Sequence, residues 1–194
     1  MFLIAFELGL WNAWIFMIYV ALSNFLPSVL AGNVIDKEVL KKLGADRPLS
    51  DNEKKLLNVY SLLFFVMVAY SIFLPLRLDT VWFYAGFLIY LLGVIVETMA
   101  MLNFFTTAVN EPVNKGIYRF SRNPMYVGMF LIFLGTSIAC VSLFFLLLTA
   151  TFTIMSHVVV VYEERFCIQK YGDLYQEYLN RIPRWLGIPK SNKE

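Results

Sequence analysis

Residues 125–162 form a largely apolar run that contains no aspartate, glutamate, lysine or arginine and one histidine, His157. At about 1.5 Å per residue a straight helix over this run would reach ~57 Å, nearly twice the ~30 Å hydrocarbon core of a bilayer. The run therefore has to fold back on itself as two helices. Residues 137–142, which hold Ser137, Ala139, Cys140 and Ser142, are the expected bend. Three further apolar stretches, at about 1–30, 55–77 and 80–105, are each long enough for one span. Composition agrees, since 59% of residues are apolar and 15% charged, with a mean hydropathy of +0.66, far from soluble averages. The expected fold is all-α: a single domain over 1–194, an integral membrane bundle of five transmembrane helices at about 1–30, 55–77, 80–105, 125–139 and 142–162. The last two form a tight hairpin, followed by a cytosolic interfacial helix.

The basic residues test this count, because cytoplasmic connections carry the excess of lysine and arginine. Of the 16 Lys and Arg, all but Arg77 fall in the first connection, the third connection and the tail. Five spans with the N-terminus outside and the C-terminus and site in the cytosol satisfy the rule, whereas four or six do not. The first span lacks a basic leader and a clear small-residue cleavage site, so it reads as a retained helix. The net charge of +2 follows from this orientation and implies no nucleic-acid partner. Cys140 and Cys167 fall on opposite sides and are not expected to pair, and with one histidine no metal site is expected.

Local signals mark the helix ends. Ser50-Asp51-Asn52-Glu53 has the spacing of a capping box, Asp79 or Thr80 can cap the third span, and Asn123-Pro124 places an N-cap before a proline at the first helical position. Gly128 and Gly135 share a face and suit close helix packing. A hairpin brings the start of the fourth span beside the end of the fifth. The former offers free backbone N–H groups and Arg122, which suit a carboxylate; the latter offers Glu163 and Glu164, which suit an ammonium or sulfonium. Tyr118 and Tyr126 add faces that attract a cation by roughly 0.5–2 kcal/mol each. Such a bipolar, tyrosine-edged site suits S-adenosylmethionine. No Gly-x-Gly-x-x-Gly occurs, so no Rossmann domain is expected.

The order Gly116-Ile117-Tyr118, then Arg122-Asn123-Pro124-Met125-Tyr126-Val127-Gly128, then Glu163-Glu164, then Tyr171-Gly172-Asp173-Leu174-Tyr175-Gln176-Glu177-Tyr178 and Ile182-Pro183 resembles the isoprenylcysteine carboxyl methyltransferase family. The likeness covers 110–184, and the short chain points to a prokaryotic member. It implies a multi-span enzyme that binds S-adenosylmethionine at its cytosolic end, within residues 106–186, and takes a lipophilic or prenylated acceptor from the bilayer. The cofactor contacts it implies are Asn110, Glu111, Pro112, Val113, Tyr118, Asn123, Pro124, Met125, Tyr126 and Glu163.

Two departures from the family pattern stand out, the second of which bears on the acceptor. Asn123 stands where the family has histidine, and Val158 to Val161 occupy the region where eukaryotic members carry an arginine for the acceptor carboxylate. A carboxylate acceptor needs no base, whereas a protonated amine or thiol does. Arg122, Glu163 and Glu164 are the candidate catalytic residues, with His157 a further possible base, and none is assigned. Duller readings stand beside these. Arg122, Arg181 and Arg184 sit where arginines anchor a chain to head groups, Tyr171, Tyr175 and Tyr178 form an interfacial belt as well as they form a pocket wall, and His157 suits a buried, hydrogen-bonded place. Glu97 lies in the cytosolic half of its span, where it can reach the pocket or meet an arginine, and Glu7 is expected near the outer surface. A phospholipid N-methyltransferase of similar fold, an NADPH-dependent sterol-type membrane reductase and a non-catalytic membrane scaffold are the alternatives.

Overall fold

The computed structural model describes residues 7–33, 47–108 and 110–189. Residues 1–6 of the expected first span, and Lys37, Lys41, Lys42, Lys190 and Lys193, lie outside the described residues. Among those described there are six α-helices and no β-strand: α1 (Trp14–Asn33), α2 (Asp51–Ser71), α3 (Val81–Thr106), α4 (Pro124–Ala139), α5 (Leu143–Tyr171) and α6 (Asp173–Arg181), with a 3-10 turn at Gly116–Arg119. By length and composition α2, α3 and α5 can each cross a membrane, while α4 and the Trp14–Ser23 part of α1 are shorter apolar helices. Leu62, Phe65, Leu88, Leu92, Ile95, Leu102 and Ile154 stand exposed on the long helices. A helix satisfies its own backbone, so such faces suit lipid.

Helix starts follow the local chemistry. The capping box forms at α2, with the Ser50 N–H donating to Glu53 Oε2 at 2.8 Å and the Glu53 N–H to Ser50 Oγ at 3.4 Å. At α3 the capping group is Thr80, whose hydroxyl accepts from the Phe83 N–H at 3.2 Å. The bend after α4 tightens to Cys140, Val141 and Ser142. Val141 takes the left-handed conformation at φ 52°, and Ser142 Oγ caps α5 through the Phe145 N–H at 3.2 Å.

Two boundaries differ from the sequence expectation. The first helix begins at Trp14, because the buried Asn12 amide donates to the carbonyls of Glu7 (2.6 Å) and Ile72 (2.7 Å) and holds the preceding residues off the helical path. A short polar side chain that bonds nearby backbone competes with helix in this way. The segment instead runs beside the α2–α3 connection, with the Ala13 N–H on Leu74 O at 2.8 Å and the Leu76 N–H on Trp11 O at 2.9 Å. At the other end, α5 does not stop near 162. It continues unbroken to Tyr171, where Gly172 at φ 56° turns the chain into α6.

The tightest packing is between α3 and α4. A Cβ on Gly128 would lie 2.7 Å from Glu97 Cβ, and one on Gly93 would lie 2.7 Å from the Ile132 N. Small residues thus bring the two backbones together, as is common between membrane helices. On the other side of α4, Phe133 is fully buried and meets Phe152 of α5 edge-on at 5.3 Å between ring centroids.

Candidate functional site

Glu164 organises the end of the bundle where α4 starts and α5 emerges. Its side chain is 7% exposed and lies 3.2 Å from Arg122 Nε and 2.7 Å from Arg184 Nη2. The Arg184 contact is aligned and two-pronged, with Nε also donating to Oε2 at 3.1 Å. The Arg122 contact is an ion pair by distance only, since that guanidinium points its Nη1 at Leu179 O, 2.9 Å away. Asn123 donates from Nδ2 to Glu164 Oε1 at 3.3 Å and to Arg184 O at 3.2 Å. It occupies the N-cap position with Pro124 next, but its side chain makes no capping bond, because that amide is committed to the tail.

Backbone contacts complete the clamp. The Arg122 N–H donates to Pro183 O (3.0 Å) and the Gly187 N–H to Phe120 O (3.1 Å), and Tyr178 donates its hydroxyl to Tyr118 O at 2.7 Å. The chain after α5 is therefore folded back over the 3-10 turn and the start of α4. Burial pushes the phenols of Tyr118, Tyr175 and Tyr178 well above the ordinary tyrosine range, so all three stay protonated as hydrogen-bonding walls.

Against this clamp lies a cavity of about 570 Å³, within the size range of small-molecule sites. Its lining combines the Arg47–Glu163 ion pair, Nη1 to Oε1 at 2.8 Å, and Tyr118, Tyr171, Tyr175 and Tyr178 with the apolar Phe64, Phe104, Phe105, Met101, Met129 and Phe152. Glu97, 4% exposed, lines it from α3.

Of the residues singled out from sequence, Pro112, Val113, Tyr118, Asn123, Met125, Tyr126, Glu163 and Arg122 line the cavity. Asn110 and Glu111 are exposed outside it, and Pro124 is fully buried as the first residue of α4. Glu163 and Glu164 diverge as neighbours on a helix do, Glu163 toward the cavity and Glu164 into the clamp. Arg184 is an internal ion-pair partner rather than a head-group anchor, whereas Arg181 pairs only with exposed Glu177 at 3.7 Å. His157 is exposed, its ring 5.8 Å from that of Trp185, contrary to the buried place expected for it. Glu7 is exposed and Cys140 and Cys167 are unpaired. Among the described residues no cluster of potential metal ligands occurs.

Sequence reasoning did not pick out Arg47, Tyr60 or Phe152 for the site. Arg47 precedes the α2 capping box and carried only the signal of a positive-inside charge. Tyr60 donates to or accepts from Ser156 Oγ at 3.1 Å and stacks on Phe152 at 4.5 Å. These positions are indistinguishable from core residues in an apolar helix.

Two comparisons give no significant match, one with curated proteins and one with solved structures. The family model described as phospholipid methyltransferase matches residues 81–174, from the start of α3 through the clamp to the beginning of α6. The cavity's α3, α4 and α5 walls all fall inside that span, and the chain is in this region similar to a family of membrane methyltransferases.

Proposed function

We propose that the chain is a membrane methyltransferase that uses S-adenosylmethionine to methylate a lipophilic acceptor. The observation that carries this reading is one cavity lined both by an ion pair and four tyrosines and by aromatic and thioether side chains. The residues present fit the donor. An amino-acid zwitterion beside a sulfonium presents both charges, and Arg47 with Glu163 offers the complementary pair; the Met125 and Tyr126 N–H groups, which have no intrahelical acceptor, add donors at the start of α4. The bound donor supplies an electrophilic methyl group. The chain supplies alignment and dryness: Glu163 and the tyrosine faces hold positive charge, the clamp excludes water, and the aromatic and thioether side chains seat the acceptor's hydrocarbon.

The similarity to phospholipid methyltransferases supports a lipid acceptor, while the motif order supports a prenylcysteine-like one; either carries a hydrocarbon chain suited to the aromatic and thioether lining. The cytosol-facing orientation rests on the basic connections. The test is calorimetric titration of S-adenosylhomocysteine into the solubilised protein, with Glu163→Gln and Tyr126→Ala. Micromolar-range binding that is weakened at least tenfold in both variants is expected. Absence of binding in folded wild type, with NADPH binding instead, would replace this reading by the reductase one.

A further inference from the structure

The segment after α6 carries large apolar side chains that the protein itself leaves uncovered. Leu186 and Ile188 are 67% and 90% exposed, and Phe120, 55% exposed, stands beside them because the Gly187 N–H donates to its carbonyl at 3.1 Å. The three form one patch at the edge of the clamp. α6 itself turns Asp173, Gln176, Glu177, Asn180 and Arg181 outward, with Leu174 its one exposed large apolar side chain. The depth of the patch can be read off α5. Arg184 is tied to Glu164 at 2.7 Å, and the ring of the next residue, Trp185, lies 5.8 Å from that of His157. His157 is seven residues before Glu164, ~10 Å back along the helix axis, on an exposed face shared with Ile154 and Val161. Trp185 thus reaches back along the lipid-facing side of α5.

We infer that, whatever the cavity binds, Phe120, Leu186 and Ile188 are a wedge inserted into the bilayer leaflet beside the clamp, with Trp185 at its boundary, and that this wedge fastens the cavity's cover to lipid. The bilayer is the occupant for two reasons. The patch continues the exposed face of α5, a helix long and apolar enough to cross a membrane. Its rim is also basic, since Arg119 directly before Phe120 and Lys115 at the other end of the 3-10 turn are both exposed. Lipid phosphates suit such a rim, and acyl chains suit the apolar tip. An imidazole facing hydrocarbon is costly when bare, and the Trp185 indole, a side chain at home in the interface, covers one side of it. The Arg122 N–H on Pro183 O and the Tyr178 hydroxyl on Tyr118 O hold the clamp from within. The wedge holds it from outside, so the tyrosine wall closes fully only in a bilayer.

The test places nitroxide labels at Leu186→Cys, Ile188→Cys and, on the outward face of α6, Gln176→Cys, one at a time in a Cys140→Ser, Cys167→Ser background in phosphatidylcholine nanodiscs. Collision with oxygen, which concentrates in lipid, is compared with collision with a water-soluble nickel chelate. The labels at 186 and 188 are expected to favour oxygen and the label at 176 the chelate. In a second protein Trp11, Trp14 and Trp82 are replaced by phenylalanine, which leaves Trp185 as the one tryptophan. Its fluorescence should be quenched by phosphatidylcholine brominated on the acyl chains and spared by aqueous iodide. Leu186→Ser with Ile188→Ser should speed hydrogen exchange over 173–187 about tenfold while α3 and α4 stay protected. Labels at 186 and 188 that favour the chelate overturn the inference, and labels shielded from both probes do so too, because protein then covers the patch. Bromolipid without effect on Trp185 also overturns it, and decides the matter if the cysteine variants are not monodisperse. Unchanged exchange in the double serine variant would show that the patch does not fasten the clamp.

Discussion

Replacing Glu164 by glutamine should loosen the tail without dissolving the bundle. The substitution keeps the size and removes the charge that two arginines share. Taking one partner from a fully buried pair costs about 3–5 kcal/mol. Here Arg184 is 31% exposed and can hydrate once released, and Arg122 keeps its bond to Leu179 O at 2.9 Å, so the cost falls at or below the lower limit of that range. We expect about 2–3 kcal/mol, which is a 30- to 150-fold rise in the tail-opening equilibrium. Hydrogen exchange in detergent, read over residues 173–187, measures it directly. Exchange there should accelerate by that factor while α3 and α4 stay protected, and S-adenosylhomocysteine affinity should fall because Tyr175 and Tyr178 leave the cavity wall. Glu177→Gln, which removes an exposed pair at 3.7 Å, is the control and should change exchange by less than about 0.5 kcal/mol. Unchanged exchange in Glu164→Gln, or an equal effect from Glu177→Gln, would refute the idea that Glu164 ties the tail down.

Gly128→Ala should lower stability by about 1–3 kcal/mol, since its Cβ has nowhere to go but into the α3 backbone at Glu97; thermal melts followed by circular dichroism check this. Ser50→Ala removes the α2 cap and is expected to cost about 1 kcal/mol in the same assay. The buried phenols set a limit at high pH. Tyr118, Tyr175 and Tyr178 have folded pKa values raised above the ordinary 10.0 by burial, so the folded state holds their protons more tightly than the unfolded one. Their contribution is fully present below pH 10 and declines as pH rises beyond it. Exchange over 173–187 should thus be flat from pH 7 to 9 after correction for intrinsic rates, with clamp opening increasing above 10.

What could be read from sequence was what neighbouring residues decide. The starts of α2 and α3 were legible because Ser50, Glu53 and Thr80 act within one turn, and the close α3–α4 approach was visible as Gly128 and Gly135. The divergence of Glu163 and Glu164 follows from helix geometry alone. Asn123 shows where locality ends. The Asn-Pro pattern correctly set the beginning of α4, yet the amide serves Glu164 and Arg184, residues far along the chain whose return depends on Gly172 turning α5 into α6. Asn12 misled for the same reason, because its partner carbonyl at Ile72 lies across the bundle and no pattern in the first apolar stretch announces it. Arg47 carried a charge signal but no hint of a partner, since its ion pair with Glu163 joins two segments that only tertiary packing brings together.

The unbroken length of α5 links the lipid to the chemistry. From its first residue, Leu143, to Glu163 is about twenty residues, or ~30 Å, one hydrocarbon thickness. The helix is a ruler whose zero mark is the Ser142 cap and whose reading is the carboxylate that lines the cavity. With the turn at one bilayer boundary, Glu163 stands at the other, and on the proposed reading an acceptor in the cavity would keep its tail in oil and meet the donor near the waterline. A bilayer several ångströms thicker would draw that carboxylate below the surface and a thinner one would lift it clear, so on the proposed reading turnover should depend on acyl-chain length as well as on substrate.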